Sequence, residues 1–369
     1  MLYRHIFLFT IGVLALVFAR PTSIQAQDCS LVNVNRVSVA SDGTQTDDNS
    51  DTPALSANGR YIVFASHATN LVVGDYGFSD IFLHDRQEGT TTRITTASGD
   101  HAYTPAISAD GQVVAFASAN FYMDGDEYLN NYQDIISYNR QTAAFTRVSV
   151  ASDGPLSNGM SYDPAISANG QVVAFSSTAT NLVANDTNGY SDIFVRDLAA
   201  GTTTRVSVAT GGAEASNQSY SPAISADGRY IAFTSYADNL VPNDNNPQHW
   251  DIFVHDRQNG ETTRVSVASN GTQGNNYSGG RPAISADGHY VAFHSYASNL
   301  VPGDTNTTGD IFVRDWQSGQ TTRVSVTSDG TQANEYSANH VALSADGRYV
   351  VFGSYASNLV PGDTNGTYD

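Results

Sequence analysis

The sequence returns to one pattern at intervals of 54 to 59 residues, and this repetition constrains the fold more than any other feature. The phrase Arg-Val-Ser-Val, or a close variant, begins at Arg36, Arg93, Arg147, Arg205, Arg264 and Arg323. Between these landmarks the same units recur in order: Pro-Ala-Ile-Ser-Ala-Asp-Gly, an apolar run, a polar loop that starts with Asn-Leu-Val, and Asp-Ile-Phe-Val. Repetition at such a period is typical of solenoids and propellers, whose units share a core with their neighbours.

Each repeat contains four short runs of β-favouring residues and no segment with helical periodicity. We name them a (Pro-Ala-Ile-Ser), b (Tyr-Ile-Ala-Phe), c (Asp-Ile-Phe-Val) and d (Thr-Arg-Val-Ser-Val). An Asp-Gly or Asn-Gly pair between a and b predicts a tight hairpin. Because b and c are apolar at most positions, they favour sheets that are covered on both faces, as in the blades of a β-propeller.

The phrase Ser-Ala-Asp-Gly-Arg-Tyr-Ile-Ala-Phe, followed by Asp-Ile-Phe-Val-His-Asp, resembles the repeat of TolB-like β-propellers. The resemblance covers residues 36–369. It implies a six-bladed ring of four-stranded antiparallel blades, and it says little about function because such repeats serve many roles. We therefore expect an all-β, six-bladed propeller whose last blade is incomplete.

Counting strands gives the domain boundaries. Full blades begin at Pro53, Pro105, Pro164, Pro222 and Pro282, and an incomplete sixth begins near Val341. After an N-terminal segment at 27–35, residues 36–39 form a d strand without its own a, b or c, so we predict that they complete the sixth blade and close the ring. The sixth copy reaches Asp369 where strand c should begin, which leaves strand b with an unpaired edge. We expect the polypeptide to continue; a natural stop that leaves a gap is the alternative.

The first 26 residues resemble a secretory signal: Arg4, an apolar run over 6–19, and a small residue at Ala26. We expect cleavage there, a secreted or periplasmic protein, and no membrane insertion afterwards; an uncleaved anchor is the alternative. Cys29 is the only cysteine, so it is either a free thiol or half of a bridge to another chain or segment.

The charge of the chain excludes one class of partner. All 17 basic residues are Arg, the acids number 36, and the net charge is −19. Such a chain repels a phosphate backbone, so we expect no nucleic-acid partner.

Strand direction places the long b–c and d–a loops on one face and the tight turns on the other. The positions two residues before the strand-a proline approach the mouth of the central channel on the loop-rich face, and they carry Asp51, Tyr103, Tyr162 and Tyr220, with Gly280 and Asn339 in the last two copies. Tyrosine rings and a carboxylate there are suited to stacking on, and hydrogen bonding with, a sugar or peptide. The alternative is that the tyrosines pack between blades.

The b–c loops carry an Asp-x-Asn-x-x-x-Asp pattern. Its clearest copies are Asp186, Asn188 and Asp192, and Asp304, Asn306 and Asp310. Calcium prefers such oxygen ligands, so one interpretation of the pattern is a calcium site. The loops lack the closing Glu of calcium loops, and the alternative is that these residues form Asx-turns and cap strand c.

The sequence contains no Gly-x-Ser-x-Gly nucleophile motif or other catalytic pattern. We expect a monomeric, non-catalytic scaffold that binds a protein, peptide or glycan through its loop-rich face. The alternatives are a calcium-dependent propeller hydrolase of the phosphatase type and a structural spacer of a larger cell-surface protein.

Overall fold

The computed structural model describes residues 35–75, 77–95, 101–119, 132–246 and 248–369. The predicted signal peptide and Cys29 lie outside these residues. No helix in the described residues is both long and apolar enough to cross a membrane.

Twenty-two strands follow one another along the chain. They are β1 (Ser50–Leu55), β2 (Tyr61–Ser66), β3 (Asp80–Asp85), β4 (Thr90–Arg93), β5 (His101–Ile107), β6 (Val113–Ala119), β7 (Gln133–Asn139), β8 (Ala144–Arg147), β9 (Ser161–Ile166), β10 (Val172–Ser177), β11 (Asp192–Asp197), β12 (Thr202–Arg205), β13 (Ser219–Ile224), β14 (Tyr230–Ser235), β15 (Asp251–Asp256), β16 (Glu261–Arg264), β17 (Ser278–Ile284), β18 (Tyr290–Ser295), β19 (Asp310–Asp315), β20 (Gln320–Arg323), β21 (Ser337–Leu343) and β22 (Val350–Ser354).

The first twenty strands form five four-stranded antiparallel sheets, each in the order a-b-c-d, and β21 and β22 are strands a and b of a sixth. We call these sheets the first to sixth blades. The all-β propeller with an incomplete last blade is confirmed. A single parallel bridge between Arg281 and His340 joins the fifth blade to the sixth.

Buried aromatic and aliphatic side chains fill the space between neighbouring blades. Strands b and c of four blades each contribute a fully or almost fully buried phenylalanine, and the two rings stack with centroids 5.8–6.0 Å apart. Ile231 and Phe233 of the fourth blade pack with Ile193 and Val195 of the third in one such cluster. Burial of these apolar side chains on both faces of each sheet explains why b and c lack polar alternation.

The tight a–b turns are joined to one another by main-chain hydrogen bonds. In each turn the alanine of Ser-Ala-Asp/Asn-Gly donates its N–H to the alanine carbonyl of the next turn, at 2.9–3.0 Å. The donor–acceptor series runs Ala57, Ala109, Ala168, Ala226, Ala286 and Ala345. Six repeats are thereby linked around one end of the channel.

Consecutive repeats also interlock at the outer strands. In four blades a buried threonine of strand d donates its hydroxyl to a valine carbonyl of the preceding repeat, as Thr262 does to Val208. The same bond joins Thr91 to Val39, so the N-terminal segment packs on the first blade as the later repeats pack on theirs.

Strand d is shorter than its predicted span. In each complete blade strand d ends at the arginine. In the second to fifth blades the last valine of Arg-Val-Ser-Val turns back to form an isolated bridge instead, and Val39 of the N-terminal segment forms the same bridge with Gln45. By this register the N-terminal strand d would occupy 33–36, and 33 and 34 lie outside the described residues. Closure of the ring by this segment stays a prediction.

Candidate functional site

The residue before the strand-a proline, or its equivalent, lines the central channel in all six blades. A cavity of about 480 Å³ lies among these residues and the adjoining prolines. The six channel-lining residues are Thr52, Thr104, Asp163, Ser221, Arg281 and His340.

A β-bulge at this position explains why so different a set of residues occupies it. The pairing of strands a and b skips here in every blade, for example between Tyr220 and Ala223. In the first four blades the bulged residue has a positive φ of 45° to 53°, in the left-handed region. In the fifth blade β17 has one more residue, and Gly280 takes the positive φ, at 87°. The bulge turns this residue toward the channel and takes it out of the hydrogen-bond ladder between strands a and b. Its side chain is therefore free to vary.

One ion pair crosses the channel between blades that are not neighbours. The Nη2 atom of Arg281, from the fifth blade, donates to Oδ1 of Asp163, from the third, at 2.7 Å. Both side chains remain accessible to solvent. A polar ligand at this point therefore meets a donor and an acceptor held side by side.

Above the pair lies a second cavity of about 340 Å³ with aromatic walls. We call it the mouth cavity; it is lined by Tyr220, Trp250 and Tyr277, together with Asp163, Ser221, Thr234, Gly280, Arg281 and His340. The rings of Tyr220 and Trp250 lie 5.8 Å apart. Burial raises the pKa of Tyr220 and of Tyr277 above the ordinary tyrosine value, so both hydroxyls stay protonated, and the Tyr220 hydroxyl donates to Oε1 of Gln218 at 3.1 Å.

Of the four side chains predicted at the mouth, the structure places Tyr220 in the wall of this cavity. Asp51, Tyr103 and Tyr162 occupy the same register position on strand a of the first three blades, opposite strand b. Tyr103 stacks on His101 with centroids 6.3 Å apart, and the Tyr162 hydroxyl contacts the Met160 sulfur at 2.8 Å. Their role in binding stays a prediction.

The equivalent position in the fifth blade is Gly279, which pairs with His294, rather than Gly280. The extra residue in β17 shifts the alignment by one. Two residues before Pro282 stands Gly280, so a position counted back from the proline misses this insertion.

Most of the residues that line the mouth cavity were not predicted from sequence, among them Trp250, Tyr277 and both members of the ion pair, Arg281 and Asp163. A signal for Trp250 exists in the position directly before the first aspartate of strand c, which the other complete blades fill with Ser79, Gln133, Ser191 and Gly309 and the sixth copy with Tyr368. An indole ring where the other complete blades carry serine, glutamine or glycine indicates a site that distinguishes the fourth blade from them.

Tyr277 also begins a row of aromatic rings that we call the tyrosine ladder. Its five members, in order, are Tyr277, Tyr296, Tyr336, Tyr355 and Tyr368, with successive ring centroids 6.0, 6.0, 6.5 and 5.2 Å apart. Tyr296, Tyr355 and Tyr368 are 37%, 50% and 46% exposed. The ladder thus runs from the wall of the mouth cavity to the solvent-exposed loops of the sixth blade.

His294 lies beneath the first three rings of the ladder. It is 1% exposed, and its ring centroid is 4.9 Å from that of Tyr296 and 5.3 Å from that of Tyr336. Neither ring nitrogen has a hydrogen-bond partner within the described residues. Burial lowers its pKa to about 4, so it is a neutral imidazole at neutral pH. Gly309 makes room for this ring, because a Cβ there would overlap His294.

An arginine from strand d lies against each of the predicted calcium loops. In the third, fourth and fifth blades the arginine that ends strand d places its Nη1 atom 3.3–3.5 Å from two aspartates, one in the b–c loop and one at the start of strand c. These clusters are Arg205 with Asp186 and Asp192, Arg264 with Asp244 and Asp251, and Arg323 with Asp304 and Asp310. The guanidinium provides the positive charge that a cation would otherwise supply.

The asparagines of the pattern make the predicted local bonds. Asn188 accepts from the Tyr190 N–H at 2.8 Å, and Asn306 accepts from the Thr308 N–H at 3.1 Å. Asp192 and Asp310 each accept a hydrogen bond from a buried serine. Calcium binding itself stays a prediction.

The third blade has an additional acid in its cluster. Carboxylate oxygens of Asp186, Asp192 and Glu214 lie within 4.8 Å of one another, around the Nη1 atom of Arg205. Burial, reinforced by the Asp192 charge, raises the pKa of Asp186 to about 6. The fourth blade carries Gln273 where the third has Glu214, so only two carboxylates surround its arginine.

No protein-family model and no curated protein sequence matches the chain. Solved structures do resemble it. TolB from Acinetobacter baumannii matches with a TM-score of 0.45 and 18% identity, over 75% of this chain and 54% of that one. An oligogalacturonate lyase in complex with manganese matches with a TM-score of 0.53 and 13% identity, over 88% of this chain and 78% of that one.

The β-propeller domain of the Trilobed protease from Pyrococcus furiosus matches with a TM-score of 0.51 and 13% identity, over 84% of this chain and 79% of that one. At such identities the likeness shows the fold alone. The chain is therefore a β-propeller of four-stranded antiparallel blades, and TolB and related propeller proteins are among the solved structures that it resembles.

Proposed function

We propose that this protein is a non-catalytic scaffold that binds a glycan in the mouth cavity of its loop-rich face. The observation that supports the proposal is the combination of three aromatic walls with one accessible ion pair. A pyranose ring has apolar C–H faces that stack on aromatic rings, and hydroxyls that both donate and accept hydrogen bonds. Tyr220, Trp250 and Tyr277 suit the faces, and the Arg281–Asp163 pair suits the hydroxyls.

The size and charge of the mouth cavity support the same class of ligand. A volume of about 340 Å³ is at the lower end of the range for small-molecule sites, and suits one or two sugar units rather than a folded protein. Arg281 is already paired with a carboxylate, so the site offers little net charge to an ionic group. A peptide remains the alternative ligand, and the experiment below separates the two.

The cellular setting forms part of the proposal. Residues 1–26 have the pattern of a secretory signal, so we place the scaffold outside the cytoplasm, as a monomer. An exported binding protein would meet polysaccharides of the envelope or the surroundings there.

Tryptophan fluorescence provides the test, because the chain has two tryptophans and only Trp250 lines the mouth cavity. Trp316 packs on Tyr230 and donates to the Gly288 carbonyl at the opposite end of its blade, so Trp316→Phe leaves one reporter. We expect a saturable change when this variant is titrated with members of a panel of neutral oligosaccharides (glucan, xylan, mannan and chitin series).

Trp250→Ala in the wild-type background should weaken calorimetric binding by about 2 kcal/mol, or about thirtyfold, as loss of a central aromatic anchor does. Trp316→Ala, which removes a tryptophan from the other face, is the control and should bind normally if folded. Absence of binding to every sugar, or equal affinity of Trp250→Ala and wild type, would refute the proposal. Saturable binding of a peptide library without any sugar would assign the site to peptides instead.

A further inference from the structure

We infer that the ligand is a neutral polysaccharide chain that extends from the mouth cavity along the tyrosine ladder, rather than a terminal sugar held in the cavity alone. This inference rests on the proposed function and names its ligand more closely.

Continuity between the two features is the first argument. Tyr277 belongs both to the wall of the mouth cavity and to the ladder, where its ring lies 6.0 Å from that of Tyr296. Tyr296 in turn stacks with Tyr336 at 6.0 Å and an interplanar angle of 24°. A chain that leaves the cavity at Tyr277 therefore meets aromatic surface directly, without a polar gap.

The second argument is how the ladder is built along the repeats. Two loop positions carry four of its five rings: the residue before strand a and the residue after strand b, which are in main-chain hydrogen-bond contact. The first blade has Asn49 and His67 there, whereas the fifth has Tyr277 and Tyr296, and the sixth Tyr336 and Tyr355. The third blade has Met160 and Thr178, and the fourth has Gln218 and Tyr236, with the same backbone contact. Among the pairs that the structure describes, both positions carry tyrosine in the fifth and sixth blades alone.

The third argument concerns the support beneath the rings. His294 replaces Ala65, Ser176 and Thr234 of other blades, and is buried under Tyr277, Tyr296 and Tyr336 without a hydrogen-bond partner in the described chain. An unpartnered imidazole at this depth costs stability. A ligand hydroxyl that enters between the rings would provide the missing partner.

The net negative charge of the protein favours neutral polysaccharides over anionic ones. The chain carries −19 overall, so a polyanionic chain is repelled from the whole molecule, whereas a neutral chain is not. The exposed ladder rings supply stacking surface and hydroxyl groups, neither of which depends on ligand charge.

The length dependence of affinity tests the inference. Calorimetric titration of the full chain with a neutral series that binds, from disaccharide to hexasaccharide, should show affinity that rises by about tenfold or more as the chain outgrows the mouth cavity. Tyr355→Ala should lower hexasaccharide affinity by about fivefold and leave disaccharide affinity within about twofold.

Tyr349→Ala is the matched control. Tyr349 and Tyr355 flank β22 at its two ends and are similarly exposed, at 56% and 50%, but Tyr349 stands at the tight turn on the opposite face. Both variants should therefore perturb the sixth blade equally, which circular dichroism checks, and only Tyr355→Ala should weaken the long ligand.

The outcomes separate the two proposals. A disaccharide that binds as tightly as the hexasaccharide overturns the ladder and leaves the mouth site in place. Failure of every sugar to bind overturns both. Preferential binding of uronic-acid or sulfated chains refutes the neutral assignment, and equal losses in Tyr349→Ala and Tyr355→Ala show a structural effect only, which also counts against the ladder.

Discussion

At the scale of single residues, the arginine that ends strand d compensates the negative charge of buried carboxylates in its blade. Arg205 pairs with three carboxylates of the third blade, and Arg264 pairs with two in the fourth. Arg205→Ala should lower the free energy of unfolding by about 3–5 kcal/mol, because it leaves buried charges uncompensated. Millimolar calcium should then raise the melting temperature of Arg205→Ala, while wild type should not respond, because the guanidinium occupies the place of the ion.

The matched variant is Arg264→Ala, in which Gln273 replaces the third acid. We expect it to be destabilised as well, with a smaller response to calcium, when melting curves are recorded with calcium and with chelator. A rise in the wild-type melting temperature on calcium addition would show that the loops bind the ion with the arginine present, in support of the original sequence prediction.

At the scale of elements, the glycine of the tight a–b turn has two separate constraints in the second to sixth blades. Gly288 has a φ of 78°, and a Cβ there would overlap the ring of Tyr230 in the preceding blade. Gly260, in a c–d turn, has a φ of 73° and no atom within 4 Å of an added Cβ. Gly260→Ala should therefore cost about 1–2 kcal/mol for the left-handed backbone alone, and Gly288→Ala about 1–3 kcal/mol more for overpacking.

Urea denaturation of both variants measures this difference. Equal losses would mean that the Tyr230 ring moves aside without cost, and that contacts between blades at this end are loose.

The same elements show what could be predicted from sequence and what could not. Strands b and c were predictable, because their buried runs such as Ile231–Phe233 and Ile252–Val254 have a composition that few other environments tolerate. The end of strand d was not, because Val-Ser-Val favours a strand locally, whereas contact with the next repeat turns it away at Val39 and its equivalents. Nor was the mouth cavity, since Trp250 and Arg281 come together only through the curvature of the ring and the extra residue of β17.

At the scale of the whole molecule, the sixth blade pairs with another blade on one side only, the side of the fifth blade, within the described residues. The outer edge of β22 is paired at Ser354, which exchanges two main-chain hydrogen bonds with Asp369 at 2.9 and 3.0 Å. Strand β18 of the fifth blade lies between two partners. We expect amides of β22 to exchange with deuterium faster than those of β18, because an edge strand opens more easily.

Hydrogen exchange measured by mass spectrometry resolves these two peptides. Equal protection of both would indicate that another segment covers the edge of β22, and residues before 35 would be the first to examine by truncation.

The chain of alanine-to-alanine bonds beneath the channel has a consequence for how such a protein changes over generations. Each alanine carries both a donor and an acceptor on its own main chain, so a duplicated or exchanged repeat brings with it everything needed to join its neighbours. These main-chain bonds themselves require no side chain of one repeat to change in concert with a side chain of the next. At the other end, one substitution in one repeat, such as tryptophan for serine before strand c, alters recognition without a change in assembly. The number of repeats and the specificity of binding can therefore change independently in evolution.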